Sequence, residues 1–224
     1  MNRPAFASAA RDLGLELDDP ILDAFETFEE NLYKANEVMN LTRVDREECW
    51  LRHFLDSLLF HDLIPPGSTV LDIGAGPGFP AWPLACARPD LQVVAADSSG
   101  KMIGFLLKNP LPNLKAVQVR VEEWQMRDAF DAVTGRAVAP LAMQLELSAA
   151  FCKVGGRVIP MRTPGDRPDF ESDVSKLGIG LREIHERILP GTDIARVFPI
   201  YEKSEATPER FPRSWSEIRR RPIF

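Results

Sequence analysis

The feature that most restricts the fold of this chain is the run Val70-Leu71-Asp72-Ile73-Gly74-Ala75-Gly76-Pro77-Gly78-Phe79-Pro80. Its first half has the length and apolar character of a buried strand, and its second half places glycine at every other position. Glycine has no Cβ, so such a backbone can turn sharply and lie against a ligand. Asp97 ends the next apolar run, Val93-Val94-Ala95-Ala96, nineteen positions after Gly78. In nucleotide-binding α/β folds an acid about 20 residues beyond the glycine turn accepts hydrogen bonds from ribose hydroxyls. A dinucleotide fingerprint asks for a third glycine five positions after the first, and position 79 is Phe.

The spacing G-x-G-x-G behind an acid is instead the form common in proteins that bind S-adenosylmethionine (AdoMet). AdoMet is therefore the expected cofactor, with Gly74, Gly76, Gly78 and Asp97 at its site. A bare strand-to-helix turn would need neither three glycines nor a spaced acid.

Around this centre the pattern alternates. Strands are expected at 69–73, 92–97, 115–121, 130–135 and 156–162, and helices at 79–88, 100–108 and 140–153, with a short turn near 122–127. Such alternation predicts a parallel sheet covered on both faces, with ligands at the carboxyl ends of the strands. Those ends are Gly74, Asp97, Val121 to Glu123 and Arg136. Two further extended runs, 181–189 and 195–203, close the sheet, and 163–174 reads as a loop or short helix.

The stretch before Pro65-Pro66-Gly67 is helical in pattern and forms an N-terminal cap, residues 1–63. Asp19-Pro20 reads as an N-cap and first helical residue, followed by Ile21, Leu22, Phe25, Phe28 and Leu32 at helical spacing. Asn40-Leu41-Thr42 ends that helix, and Asp45 with Glu48 has the form of a capping box for the next. There Leu51, Phe54, Leu55, Leu58 and Leu59 form the apolar stripe. Arg52, His53, Asp56 and Ser57 make a polar face, whose ordinary role is solvation.

Cys49, Cys86 and Cys152 form no C-x-x-C pair, so neither a disulfide framework nor a metal site is expected. With no apolar leader at the start and no long apolar run, a cytoplasmic protein without a membrane partner is expected. The net charge of −6 counts against a nucleic-acid partner, but residues 207–224 carry five arginines against two glutamates, a basic tail able to meet phosphates.

Taken with Arg52-His53-Phe54-Leu55-Asp56-Ser57, Asn40-Leu41-Thr42, Asp97-Ser98 with Lys101, Arg120-Val121-Glu122-Glu123, Arg136-Ala137, Lys153-Val154-Gly155-Gly156, Thr207-Pro208 and Phe211-Pro212-Arg213, the glycine motif resembles that of the small-subunit (16S) rRNA guanine-N7 methyltransferases, the RsmG (GidB) family. The resemblance covers nearly the whole length. It implies an α/β, Rossmann-like AdoMet-dependent methyltransferase sheet, mostly parallel with the last strand antiparallel, spanning 64–206 behind the N-terminal helical cap.

It further implies AdoMet as methyl donor and a guanine N7 of small-subunit rRNA or its ribosomal particle as acceptor; a monomer is the expected state of the chain. Gly74 and Phe79 would line the methionine and ribose side, Val121 and Glu122 would meet the adenine, and Arg136 would close the site and orient guanine or the cofactor carboxylate. The polar face of Arg52, His53 and Asp56 would then stand beside the active site. Arg43, Arg46, Arg52, Arg162 and Arg213 are candidates for phosphate contacts.

Departures from the family pattern are a helix after Lys101 cut short by Pro110 and Pro112, Ala81 in place of Gly, Gly135 in place of Ser, Arg162 in place of Lys, and Trp215-Ser216-Glu217 in place of a Gly-containing basic run. They keep two alternatives open: methyl transfer to a non-RNA substrate, and an AdoMet- or RNA-binding module without turnover.

Overall fold

In the computed structural model, which describes residues 1–224, the long N-terminal helix is capped one residue earlier than its sequence suggests. Asp18 is the extended N-cap and its side chain accepts from the Ile21 N–H, while Asp19 pairs with Arg3. Arg3 belongs to a short first helix, α1 (Arg3–Asp12), that the sequence pattern does not reveal. Helix α2 (Asp19–Met39) ends at Asn40 in the left-handed conformation, as the Asn-Leu-Thr break suggests.

The capping box expected at Asp45 and Glu48 does not form. Arg46–Glu48 is a single 3-10 turn with no side-chain cap, and Glu48 instead takes the Arg52 guanidinium at 3.1 Å. The next helix, α3, is wound as a π-helix over Trp50–Leu55 and continues as the α-helical turn Asp56–Leu58. Segments of this winding are rare and concentrate at functional sites.

Seven strands form one sheet: β1 (Thr69–Ile73), β2 (Gln92–Asp97), β3 (Leu114–Gln118), β4 (Phe130–Arg136), β5 (Cys152–Met161), β6 (Ile179–Ile188) and β7 (Ala195–Lys203). Their order is β3-β2-β1-β4-β5-β7-β6. The first five are mutually parallel, and β7, last in sequence, lies antiparallel between β5 and β6. Helices α4 (Ala81–Ala87), α5 (Gly100–Leu106) and α6 (Leu141–Ala149) follow β1, β2 and β4.

Helix α6 stops four residues before the expected 153, because β5 begins early and bulges between its pairings with Phe130 and Ala132. Gly155, at φ +83°, and Gly156, where a Cβ would stand 2.8 Å from the Asp131 carbonyl oxygen, permit that bulge. The early stop of α5 is stabilised by polar contacts around Asn109: its side chain accepts from Asn31 and its carbonyl from the Trp82 indole.

The helices before β1 share a core with one face of the sheet, where Phe6, Phe25, Phe28, Phe54, Phe79, Trp82 and Phe105 pack together. Phe28 stacks on Trp82 at 4.1 Å and meets Phe79 and Phe105 edge-on. Residues after 206 fold back on the other face, with Phe211, Ile218 and Ile223 buried beside Leu145, Phe151 and Tyr201. A short helix, α7 (Trp215–Arg220), lies within them. No helix is long and apolar enough to cross a membrane.

Candidate active site at the switch point of the sheet

Strand order reverses between β1 and β4, and in open α/β sheets ligands bind outside the strand ends at such a point. Glycine allows close approach there. A Cβ at Gly135 would lie 2.8 Å from the Ile73 carbonyl oxygen, so Gly135 lets β4 press against the end of β1. Gly74 turns away from β1 at φ +64°, and Ala137, just after β4, takes the left-handed region at φ +55°.

Two cavities open at this edge and share Ala137. The smaller, about 390 Å³, is lined by Gly74, Asp97, Ser98, Val121, Glu122 and Trp215 among others. It brings together Gly74 with three of the other residues expected to hold the cofactor. Asp97 is fixed by its backbone surroundings, accepting from the Gly76 N–H at 2.9 Å and the Ser99 N–H at 2.8 Å. Gly78 does not line it: its Cβ position lies 2.6 Å from Leu106, so this glycine serves helix packing. Gly76, also outside the lining set, has no heavy atom within 4 Å of its Cβ position.

The larger cavity, about 570 Å³, is lined by Arg52, His53, Asp56, Arg136, Arg162 and Arg196 among others. Four arginines face two aspartates, Asp56 and Asp166, so this hollow is positive although the chain carries −6. Arg136 donates to Asp56 at 3.2 Å, to the Arg52 carbonyl and to His53 Nδ1, and lies over the Phe79 ring. Its acidic partner is thus Asp56, on α3, and not Asp72 in the glycine motif. Burial pulls the Arg136 pKa down and Asp56 opposes that shift.

A guanidinium can only donate, so His53 Nδ1 accepts and Nε2 carries the proton, given to Thr42 Oγ1 at 2.6 Å. Thr42 Oγ1 in turn accepts from the Val44 N–H. The His53 ring stacks on Phe79 at 4.2 Å, nearly parallel. Burial, with Arg136 and Arg52 nearby, drives its pKa down to about 3. The polar face of α3 is therefore not a solvated face, because His53, Asp56 and Ser57 are all buried.

Arg162 uses the planar fork that distinguishes it from Lys: one nitrogen donates to the Ala139 carbonyl and Gln144 Oε1, the other to Asp166. Arg213 is not in this cavity. It forms a forked ion pair with fully buried Glu146 on α6, an internal tie in place of a free phosphate ligand. Arg46 lies against Glu29 and the Tyr33 ring, and Arg43 is exposed.

Sequence reasoning missed Arg196, which shares Asp56 with Arg136 by donating at 2.9 Å from Nε. Nothing in the sequence pattern links β7 to a helix 140 residues earlier. It also missed Trp215 as a wall of the smaller cavity, although that residue stands out as a departure from the family pattern.

The donors and acceptors of the smaller cavity fit AdoMet. An acid fixed at the end of β2 can take ribose hydroxyls, Val121 offers an apolar surface, and Gly74 keeps side-chain bulk out of the turn. Asp72 Oδ2 accepts from the Ala81 N–H, while Oδ1 is buried without a partner.

The family described as rRNA small subunit methyltransferase G matches residues 21–178. The chain is 34% identical to ribosomal RNA small subunit methyltransferase G of Lactobacillus johnsonii and 35% identical to that of Exiguobacterium sp., covering 100% of both proteins in each case. Among solved structures, M. jannaschii TYW2 in complex with AdoMet shares the fold with a TM-score of 0.53 at 18% identity, over 66% of this chain and 76% of that one. A TehB-like SAM-dependent methyltransferase from Corynebacterium glutamicum gives a TM-score of 0.54 at 16% identity, over 80% of this chain and 99% of that one.

Proposed function

The chain belongs to the rRNA small subunit methyltransferase G family, and from that membership we propose that it transfers the methyl group of AdoMet to N7 of a guanine in small-subunit (16S) ribosomal RNA. AdoMet supplies a methyl group already activated on a sulfonium. Gly74, Asp97, Val121 and Glu122 hold it in the smaller cavity, and the acceptor base enters the larger one across Ala137. Placing the two reactants in line can by itself supply several kcal/mol of the barrier.

The observation that carries the N7 assignment is that the acceptor cavity offers no free base. The lone pair of His53 is taken by Arg136, both oxygens of Asp56 are held by Arg136 and Arg196, and those of Asp166 by Arg162 and Thr163. An exocyclic amine or a hydroxyl must lose a proton as it is methylated; guanine N7 has a lone pair and no proton. Arg136, a pure donor, can hold guanine O6 while leaving N7 free. N7 lies on the major-groove edge, which side chains cannot reach in A-form RNA. The target is thus an unpaired or flipped base, and Arg52, the exposed arginine at the cavity, receives a phosphate beside it.

The reading is tested with tritiated AdoMet and small-subunit particles lacking the mark, followed by mapping of the labelled base. Label on a guanine N7 is expected, with single-turnover methylation by Arg136→Ala slowed by about tenfold or more, as for loss of a charged positioning contact. Label on an amine or ribose hydroxyl, or none on any ribosomal substrate, overturns it. The same reading has the chain acting as a monomer in the cytoplasm, which light scattering on the purified protein checks in its first part.

A further inference from the structure

One wall of the smaller cavity comes from neither the glycine turn nor the strand ends. It is Trp215, the first residue of α7, which lines the cavity with Gly74, Asp97, Val121 and Glu122. The indole is half-buried and packs against the apolar core on that face of the sheet.

The backbone that carries it is held at many points. Arg127 donates to the Thr207 and Phe211 carbonyls at 2.6 and 2.8 Å. Arg213, two residues before Trp215, forks onto Glu146, and Ser214 and Glu217 close a capping box around the start of α7. Ile218 and Ile223 are buried, and Lys176 donates to the Ile223 carbonyl. A large aromatic ring is thus held at the edge of a cavity by a strap whose remaining residues are tied elsewhere. The chemistry of the cavity, with a fixed acid at Asp97, an apolar Val121 and a second acid at Glu122, is that of a nucleoside site.

We propose that Trp215 is a cofactor-contacting residue that presents its ring to the adenine of AdoMet, making the C-terminal strap part of the donor site. The inference rests on reading the smaller cavity as the AdoMet site. It also accounts for the Trp-Ser-Glu departure: a flat ring replaces a basic, glycine-containing run at the position where the strap passes the cavity.

Titration calorimetry with S-adenosylhomocysteine, the demethylated product, and with adenosine separates the possibilities. Trp215→Leu keeps apolar bulk on α7 and loses the aromatic face, Trp215→Phe keeps a ring, and Asp97→Asn probes the cavity independently. Affinity for both ligands is expected to fall by about tenfold or more in Trp215→Leu and to stay within about threefold in Trp215→Phe, the scale of a lost base–aromatic stack. The change in tryptophan emission on ligand binding is expected to persist in Trp50→Phe and to vanish in Trp215→Phe.

If Trp215→Leu binds within about twofold of wild type while Asp97→Asn is weakened tenfold, the role of Trp215 is refuted and the cavity assignment stands. If neither substitution weakens binding, the cavity assignment falls, and this inference with it.

Discussion

Asp72 has no exposed surface, and one of its carboxylate oxygens has no partner. Burial is the dominant influence on it, pushing its pKa up to about 8 against the opposing Ala81 N–H bond and Arg136 charge. A carboxyl raised in the folded state holds a proton that the unfolded chain releases near pH 4, so the folded state binds more protons between about 4 and 8. Stability contributed by that proton is present at low pH and lost as pH rises through the window. His53 acts in the opposite sense, costing stability as pH falls from about 6.5 toward 3. Asp72→Asn removes the first effect alone. The variant is expected to melt higher than wild type at pH 8.5 by at least ~1 kcal/mol, about 2–4 °C, with the advantage shrinking steadily toward pH 5. A pH-independent difference in differential scanning fluorimetry would show that Asp72 is already ionised in the fold.

At the scale of elements, the strap and α6 depend on one ion pair. Glu146 is fully buried and Arg213 is its sole side-chain partner, with the Arg213 N–H as a further donor. Removing one member of such a pair leaves a buried charge uncompensated, which costs about 3–5 kcal/mol, whereas replacing both with apolar groups is often neutral. Arg213→Met is expected near the lower end of that range, because the arginine is partly exposed, and Arg213→Met with Glu146→Leu to recover most of the loss. Urea denaturation of the two variants against wild type checks it. Lys101, on α5, donates to the Met39 and Asn40 carbonyls and so fastens the end of α2 to that helix.

For the whole molecule, the arrangement of charge matters more than its sum. A chain of net charge −6 concentrates Arg52, Arg136, Arg162 and Arg196 around one hollow, so the local field there is opposite in sign to the average. Of these, Arg52 is the most exposed and its only acidic partner is the exposed Glu48, so it is free to exchange that partner for a phosphate. RNA affinity is therefore expected to fall linearly with salt on logarithmic axes, with Arg52→Gln reducing the slope by about 0.7, the increment per single-strand phosphate contact. Arg213→Gln is expected to leave the slope unchanged, since Glu146 already occupies that guanidinium. Filter binding at several salt concentrations distinguishes the two. The cap and the sheet share one aromatic core through Phe28, Phe79 and Trp82, so both are expected to melt in a single transition, with Phe28→Ala lowering its free energy by about 3–5 kcal/mol.

Periodicity and spacing along the chain determined the alternation of elements, the glycine turn, the acid at the end of β2 and the arginine at the end of β4. These are local properties: hydrophobic period and the φ demands of a turn act within a few residues, and a parallel sheet then delivers its strand ends to one edge. Partner choice among charged side chains belongs to the tertiary structure. Arg136 meets Asp56 across 80 residues and Arg196 meets it across 140, while Arg213 is diverted to Glu146. Each pairing is set by which charges burial brings together and forces to neutralise one another, and the order of strands decides that. The glycine turn thus marks the smaller cavity in the sequence, but the fold alone lays the larger cavity beside it, with Ala137 shared between them.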